Sequence, residues 1–359
     1  MIRLVSRWGL VAGLCAALAG WPAHSQGLGY YWQSIKGHLA VMNAAKPVQD
    51  WLNDPQTPPP LKARLELARR IRSFAVSALH LPSNASYTRY ADIGRSAVVW
   101  NVVAAPPDSL TLKTWCYPVA GCAGYQGYYS EADARNAADA LKAQDLEVSV
   151  YGVPAYSTLG YMNWVGGDPL LSTFINYPEG ELARMIFHEL AHQVVYARDD
   201  TAFNESFATA VERIGAQAWL ATQTTEGARA EYAVYDGRRN QFRALSLATR
   251  RNLEQIYAKT GEKSAQAAMK SIAFDHFRAD YQALKAGWGG YGGYDLWVDQ
   301  ANNASFGALA AYDELVPGFE AQFERQGREA KDPWPGFYDA VKRLAALPKA
   351  ERHAALQIP

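Results

Sequence analysis

The chain has 359 residues, 49% of them hydrophobic and 19% charged, and its formal net charge is zero. This balance excludes disordered, collagen-like and strongly basic chains, so nucleic acid is not an expected partner. A chain this long buries roughly three quarters of its unfolded surface, enough for one large core or two modest ones.

The N-terminus reads as an export signal. Arg3 and Arg7 precede an apolar run from Trp8 to Gly20 that is too short to span a bilayer comfortably, and Ala23-His24-Ser25 offers a small-x-small cleavage site. The alternative is a buried first helix. The expectation is a signal peptide over 1–25 and one domain over 26–359, exported and soluble in the periplasm, with no transmembrane segment in the mature chain. Leu18-Ala19-Gly20 begins a lipoprotein box, but Trp21 stands where lipidation needs a cysteine, so a lipid anchor is not expected. Without the signal, two cysteines remain, Cys116 and Cys122, around Pro118 and Gly121. In an oxidising compartment the pair favours a local disulfide over two buried thiols.

Gln49 to Pro60 is proline-rich and polar, and reads as a loop. Leu61 to Leu81 places Leu, Ala, Ile and Val at helical spacing beside Arg and Lys, an amphipathic helix. Ala97 to Ala105 is β-branched and apolar, a buried strand with which Leu112 to Val119 can pair. Ser130 caps a helix ending near Gln144, and Glu147 to Val153 alternates as a strand. Helices then dominate: Glu179 to about Ala197 after Pro178, another starting at Asn204, Arg239 to Leu284 with a break near Gly261, Ala308 to Gln326, and Phe337 to Ala346. Trp288 to Trp297 is glycine-rich and aromatic, a loop or turn. The fold class is α+β, with a small sheet in the N-terminal half and a helix-rich C-terminal half.

The chemistry lies in Phe187-His188-Glu189-Leu190-Ala191-His192. Histidines four apart share one helical face, so both imidazoles can reach one metal ion, with Glu189 beside its water. This is the H-E-x-x-H zinc peptidase pattern. Leu182, Ile186, Leu190 and Val194 mark the buried side of the same helix. Catalytic zinc wants a third protein ligand and an open position. Glu205, separated from His192 by twelve residues, is the best candidate, with Asp199, Asp200 and Glu212 in reserve. Phe203, Phe207, Val211 and Ile214 form the apolar side of its helix, and Glu205, Thr209 and Glu212 the opposite side. Thr209 and Glu212 can instead orient a ligand. Tyr291, Tyr294 and Tyr312 are candidates to stabilise an oxyanion, each against a reading of ordinary aromatic packing. If the chain acts on free N-termini, a substrate ammonium needs a carboxylate, for which Glu181 and Glu212 are candidates, each against a reading as an exposed helix carboxylate.

Asn204-Glu205-Ser206-Phe207-Ala208 after HELAH resembles the Asn-Glu-x-Phe-Ala element of gluzincin aminopeptidases, at shorter spacing. More closely, the chain resembles a zinc aminopeptidase family of Gram-negative bacteria. The resemblance is carried by YTRYADIGRSAVVWNVVAAPPDSL, TWCYPVAGCAGYQGYYSEADA, GVPAYSTLGY, IFHELAHQ, DTAFNESFATAVE, NNASF and VPGFE, from about residue 30 to residue 325. It implies a zincin-like catalytic domain, one zinc ion, peptide substrates and release of N-terminal residues. Members of that family are often lipid-anchored, and Trp21 departs from this. Two other functions compete: an endopeptidase acting on envelope peptides, and a zinc-binding envelope protein without catalysis. The intact Glu189 argues against the last, since binding alone does not need it.

Overall fold

The computed structural model describes residues 28–117, 121–155, 166–259, 262–313 and 315–357; the expected signal peptide and Trp21 lie outside them. The elements that build the site begin with helix α1 (Leu28–Ala44), strand β1 (Lys46–Pro47) and helices α2 (Val48–Asn53) and α3 (Pro59–Ser77). The proline-rich stretch after residue 49 is thus partly helical, because its prolines sit before or in the first turn of α3, where a missing N–H costs nothing.

Strands β2 (Arg89–Ala91), β3 (Val99–Ala105), β4 (Trp115–Tyr117), β5 (Gly121–Ala123) and β6 (Gln126–Tyr128) follow. Helix α4 (Glu131–Lys142) separates them from β7 (Glu147–Val153) and β8 (Leu170–Leu171). Ser130 caps α4, its hydroxyl accepting from the Asp133 amide. The central sheet is antiparallel in the order β6-β3-β7. A second small sheet, β1-β2-β8, includes one parallel pair. Of the segment expected to pair with β3, Lys113 donates its amide to Ala104 O at 2.8 Å, but residues 115–117 do not join the β3 ladder. β4 folds back on β5 in a hairpin, and β3 spends its ladder on β6 and β7. The two cysteines face each other across that hairpin and form a disulfide.

β3 is buried along its whole length, and its alternation divides the work. Trp100, Val102 and Ala104 pack on Ala134, Ala138 and Leu141 of α4. Val103 and Ala105 face the other way, against Ala304, while Val99 and Asn101 on that same side border a cavity.

The helical half contains α5 (Glu179–Ala191), α6 (Thr201–Gln223), α7 (Glu226–Ala258), α8 (Lys263–Gly287), α9 (Asp295–Asp299), α10 (Asn303–Asp313), α11 (Val316–Glu329), α12 (Trp334–Ala345) and α13 (Lys349–Ala354). α5 is shorter than its pattern suggests. It ends at Ala191, and turns lead to Asp200, whose carboxylate caps α6 through the Phe203 amide. α10 and α11 divide the expected single helix at 308–326, and α9 interrupts the aromatic loop. Leu182, Ile186, Phe187 and Leu190 of α5 are fully buried against Phe203, Phe207, Ala210 and Val211 of α6. Gly215 lets the helices close: a Cβ there would lie 2.9 Å from the Phe187 ring and 2.7 Å from Leu79. No helix among the described residues is long and apolar enough to cross a membrane.

Candidate active site

α5 and α6 form a helix–turn–helix whose apolar faces meet in the core and whose polar faces open on one cavity. Asn204 fixes the turn: its amide accepts from Ala197 N at 2.7 Å and donates to Ala197 O at 2.8 Å. Asp200, wholly buried, binds Arg352 at 2.7 Å and His353 at 2.9 Å, tying the start of α6 to α13. Asp199 accepts from the Cys122 amide at 2.6 Å and so holds the disulfide hairpin against the same turn. Both aspartates are engaged in holding structure, and neither joins the cluster formed by the histidines.

That cluster is His188, His192 and Glu205, whose ligand atoms all lie within 4.8 Å of one another. The two Nε2 atoms are 3.2 Å apart, and Glu205 Oε2 lies 3.3 Å from His188 Nε2 and 3.7 Å from His192 Nε2. Zinc bonds of about 2.0–2.2 Å at tetrahedral angles give ligand–ligand edges of about 3.3–3.6 Å, so this triangle fits such an ion. The outer nitrogen of His188, Nδ1, lies 3.0 Å from Glu212 Oε2. A carboxylate behind a ligand histidine fixes its tautomer and orientation. Arg184 ion-pairs with the other oxygen of Glu212, with Asp236 at 3.2 Å and hydrogen-bonds Tyr232 at 3.3 Å.

Electrostatics agree with a cation site. Burial alone would lower His188, but its hydrogen bonds and charge contacts with Glu205 and Glu212 raise it well above its ordinary value. Those carboxylates place negative charge beside His188, an environment that favours a cation. Burial brings His192 down to about 4 and keeps its imidazole neutral, as a ligand must be. Burial would raise Glu205, but His192 and His188 outweigh it and lower the carboxyl. Burial is the main cause that lifts Glu189 to about 7, into the range of a general base.

The cavity measures about 800 Å³ and is lined by all of these groups together with Thr209 and Tyr294. Tyr294 stacks on Phe242 with centroids 4.0 Å apart. Tyr291 is not among the lining residues; it packs against Tyr235 and Trp288 under the Arg238 guanidinium. Tyr312 falls on α10, its side chain outside the described residues. The two carboxylates considered for a substrate ammonium are both occupied. Glu181 takes a two-pronged ion pair from Arg239 at 2.7 Å, and Glu212 holds Arg184 and His188.

Sequence reasoning missed Tyr125 and Arg184. Tyr125 lines the cavity, and its phenol is raised first by burial and then by the charges of Glu205 and Glu189. Tyr151, on the cavity-facing side of β7, is likewise raised first by burial and further by Glu205. Nothing in the sequence brings these strands to the helices. Arg184 was readable: it stands one turn before His188 on the same face.

Comparison with known families places this chain among the peptidases. Residues 29–356 match the family model described as "Putative aminopeptidase", and the chain belongs to that family. No curated protein and no solved structure matches it.

Proposed function

We propose that this chain is a zincin-like, zinc-dependent aminopeptidase, exported to the periplasm, with one zinc ion on His188, His192 and Glu205. The observation that carries the reading is the ligand triangle with edges of 3.2, 3.3 and 3.7 Å beside a carboxyl lifted to about 7. A zinc ion held there would make bound water more acidic and polarise a substrate carbonyl.

The protein's own groups do the rest. Glu189 takes the proton of the attacking water and returns it to the amine that leaves when the peptide C–N bond breaks. Tyr125, on the opposite side of the cavity, donates its phenolic hydrogen to the carbonyl oxygen as negative charge develops there. Glu212 keeps His188 in one tautomer, and Arg184 keeps Glu212 ionised. The disulfide hairpin supports export, since such bonds persist in oxidising compartments.

One observation favours the endopeptidase alternative. Glu181 and Glu212, the acidic groups considered for a substrate ammonium, are already paired with arginines. The test compares zinc-loaded protein on a free-amine aminoacyl substrate and on its N-acetylated form. Loss of cleavage on acetylation supports the aminopeptidase; equal rates, or cuts at internal bonds, support the endopeptidase.

A further inference from the structure

The cavity has two chemically different sides. Histidines aside, every charged side chain among its described lining residues comes from α5, α6 or α7. The facing side, from α1 and the strands β3 to β7, contributes no charged side chain among the described residues. Tyr30, Tyr117, Tyr125 and Tyr129 line it together with Val99 and Val153, and its polar groups, Ser34 and Asn101, are uncharged.

This wall is built rather than incidental. Tyr30 reaches in from α1 to lie against Tyr117 and Tyr128, with ring centroids 6.0 and 5.5 Å apart. Its hydroxyl donates to the Tyr117 hydroxyl at 3.5 Å, which donates to the Tyr125 carbonyl at 3.3 Å, so both hydroxyls are engaged within the wall. Gln33 of α1 clamps the sheet edge by accepting from the Tyr129 amide at 3.0 Å and donating to Gly127 O at 3.4 Å. Gly37 brings α1 directly onto the Tyr129 ring, where any Cβ would collide.

Such a surface receives apolar and aromatic groups through ring contacts. It offers no counter-charge to an acidic or basic side chain, which would lose hydration without gaining a partner. We propose that this wall is the side-chain pocket of the substrate: the peptide cleaved carries a large uncharged residue, aromatic by preference, beside the scissile bond. This rests on the peptidase reading above and adds the substrate class to it.

The test uses the whole zinc-loaded chain with Glu189→Gln, so that binding is read without hydrolysis. Calorimetry measures Kd for two dipeptide amide series, Xaa-Ala-NH2 and Ala-Xaa-NH2, with Phe, Ala, Asp or Lys at Xaa. In one series Phe binds tighter than Ala by about tenfold or more, with Asp and Lys no tighter than Ala. Tyr30→Ala reduces that ratio, and Tyr30→Phe, which keeps the ring, retains it. Four Kd values within about threefold in both series, tighter binding of Asp or Lys, or no binding at all would overturn the proposal. The two readings fail separately. Hydrolysis by the parent without side-chain preference removes the pocket and leaves the peptidase. Preference in binding without hydrolysis by the parent does the reverse.

Discussion

Replacing Glu212 with glutamine keeps the side chain's volume and removes one charge from the middle of the site. Burial alone would raise the Glu212 carboxyl, but Arg184 and the hydrogen bond with His188 outweigh it and bring it to about 2 from an ordinary 4.5. That lowering corresponds to roughly 3 kcal/mol favouring the ionised folded form. A carboxyl depressed on folding contributes stability that is fully present above pH 4.5 and is lost as pH falls through about 2. The variant lacks this contribution at neutral pH. A second route gives the same size: breaking a buried ion pair costs about 3–5 kcal/mol. Arg184 retains Asp236 at 3.2 Å and Tyr232 at 3.3 Å, which puts the cost at the lower end. Glutamine also leaves Nδ1 of His188 without a charged acceptor, which weakens metal binding about 10- to 100-fold. Urea unfolding at neutral pH and competition with a zinc chelator read the two effects. Zinc affinity within about twofold of the parent, with an unfolding loss below about 1 kcal/mol, would refute this account of Glu212.

Three further outcomes follow from the geometry. Tyr125→Phe lowers kcat about a hundredfold while zinc content and KM stay near the parent values, and an unaltered kcat removes the phenol from the reaction. Because Glu189 must be ionised to act as base, kcat/KM falls on the acid side with a limb between 4.5 and about 7, shifted toward 4.5 as zinc offsets the effect of burial; a pH profile flat to about pH 4 contradicts the base role. Asp200→Ala removes the carboxylate partner of buried Arg352, leaving it the Ala345 and Leu347 carbonyls, and uncaps α6, so chemical denaturation detects a loss of about 3 kcal/mol or more, whereas a change below about 1 kcal/mol means the α13 tether is dispensable.

Local pattern made much of this legible. The helical periodicity around His188 and His192 placed both imidazoles on one face, and the alternation over 147–153 marked β7 at its observed ends. Glu205, Thr209 and Glu212 do share the cavity side of α6. What remained hidden depends on distant pairing. The hairpin of β4 and β5 is closed by contacts with each other and with Asp199, so residues 115–117 pair with β5, and the expected approach to β3 is met at Lys113, whose amide donates to Ala104 O. Tyr125 and Tyr151 reach the site only because β3 brings β6 and β7 together under α5 and α6. The pairing of Glu181 with Arg239 joins residues 58 apart in sequence, which no spacing rule reveals. α5 stops at Ala191 because the Asn204 clamp on Ala197 requires a turn there, overriding a helical pattern that continues to Val194.

The most direct test of the central claim is mass spectrometry of a free-amine peptide incubated with three samples: the zinc-loaded chain, the same chain stripped by chelator, and the zinc-loaded Glu189→Gln variant. The account predicts stepwise loss of N-terminal residues with the first sample alone, and metal analysis showing one zinc per chain in both the first and the third. An intact peptide in all three samples, or equal cleavage by the stripped chain or the Glu189→Gln variant, would contradict it.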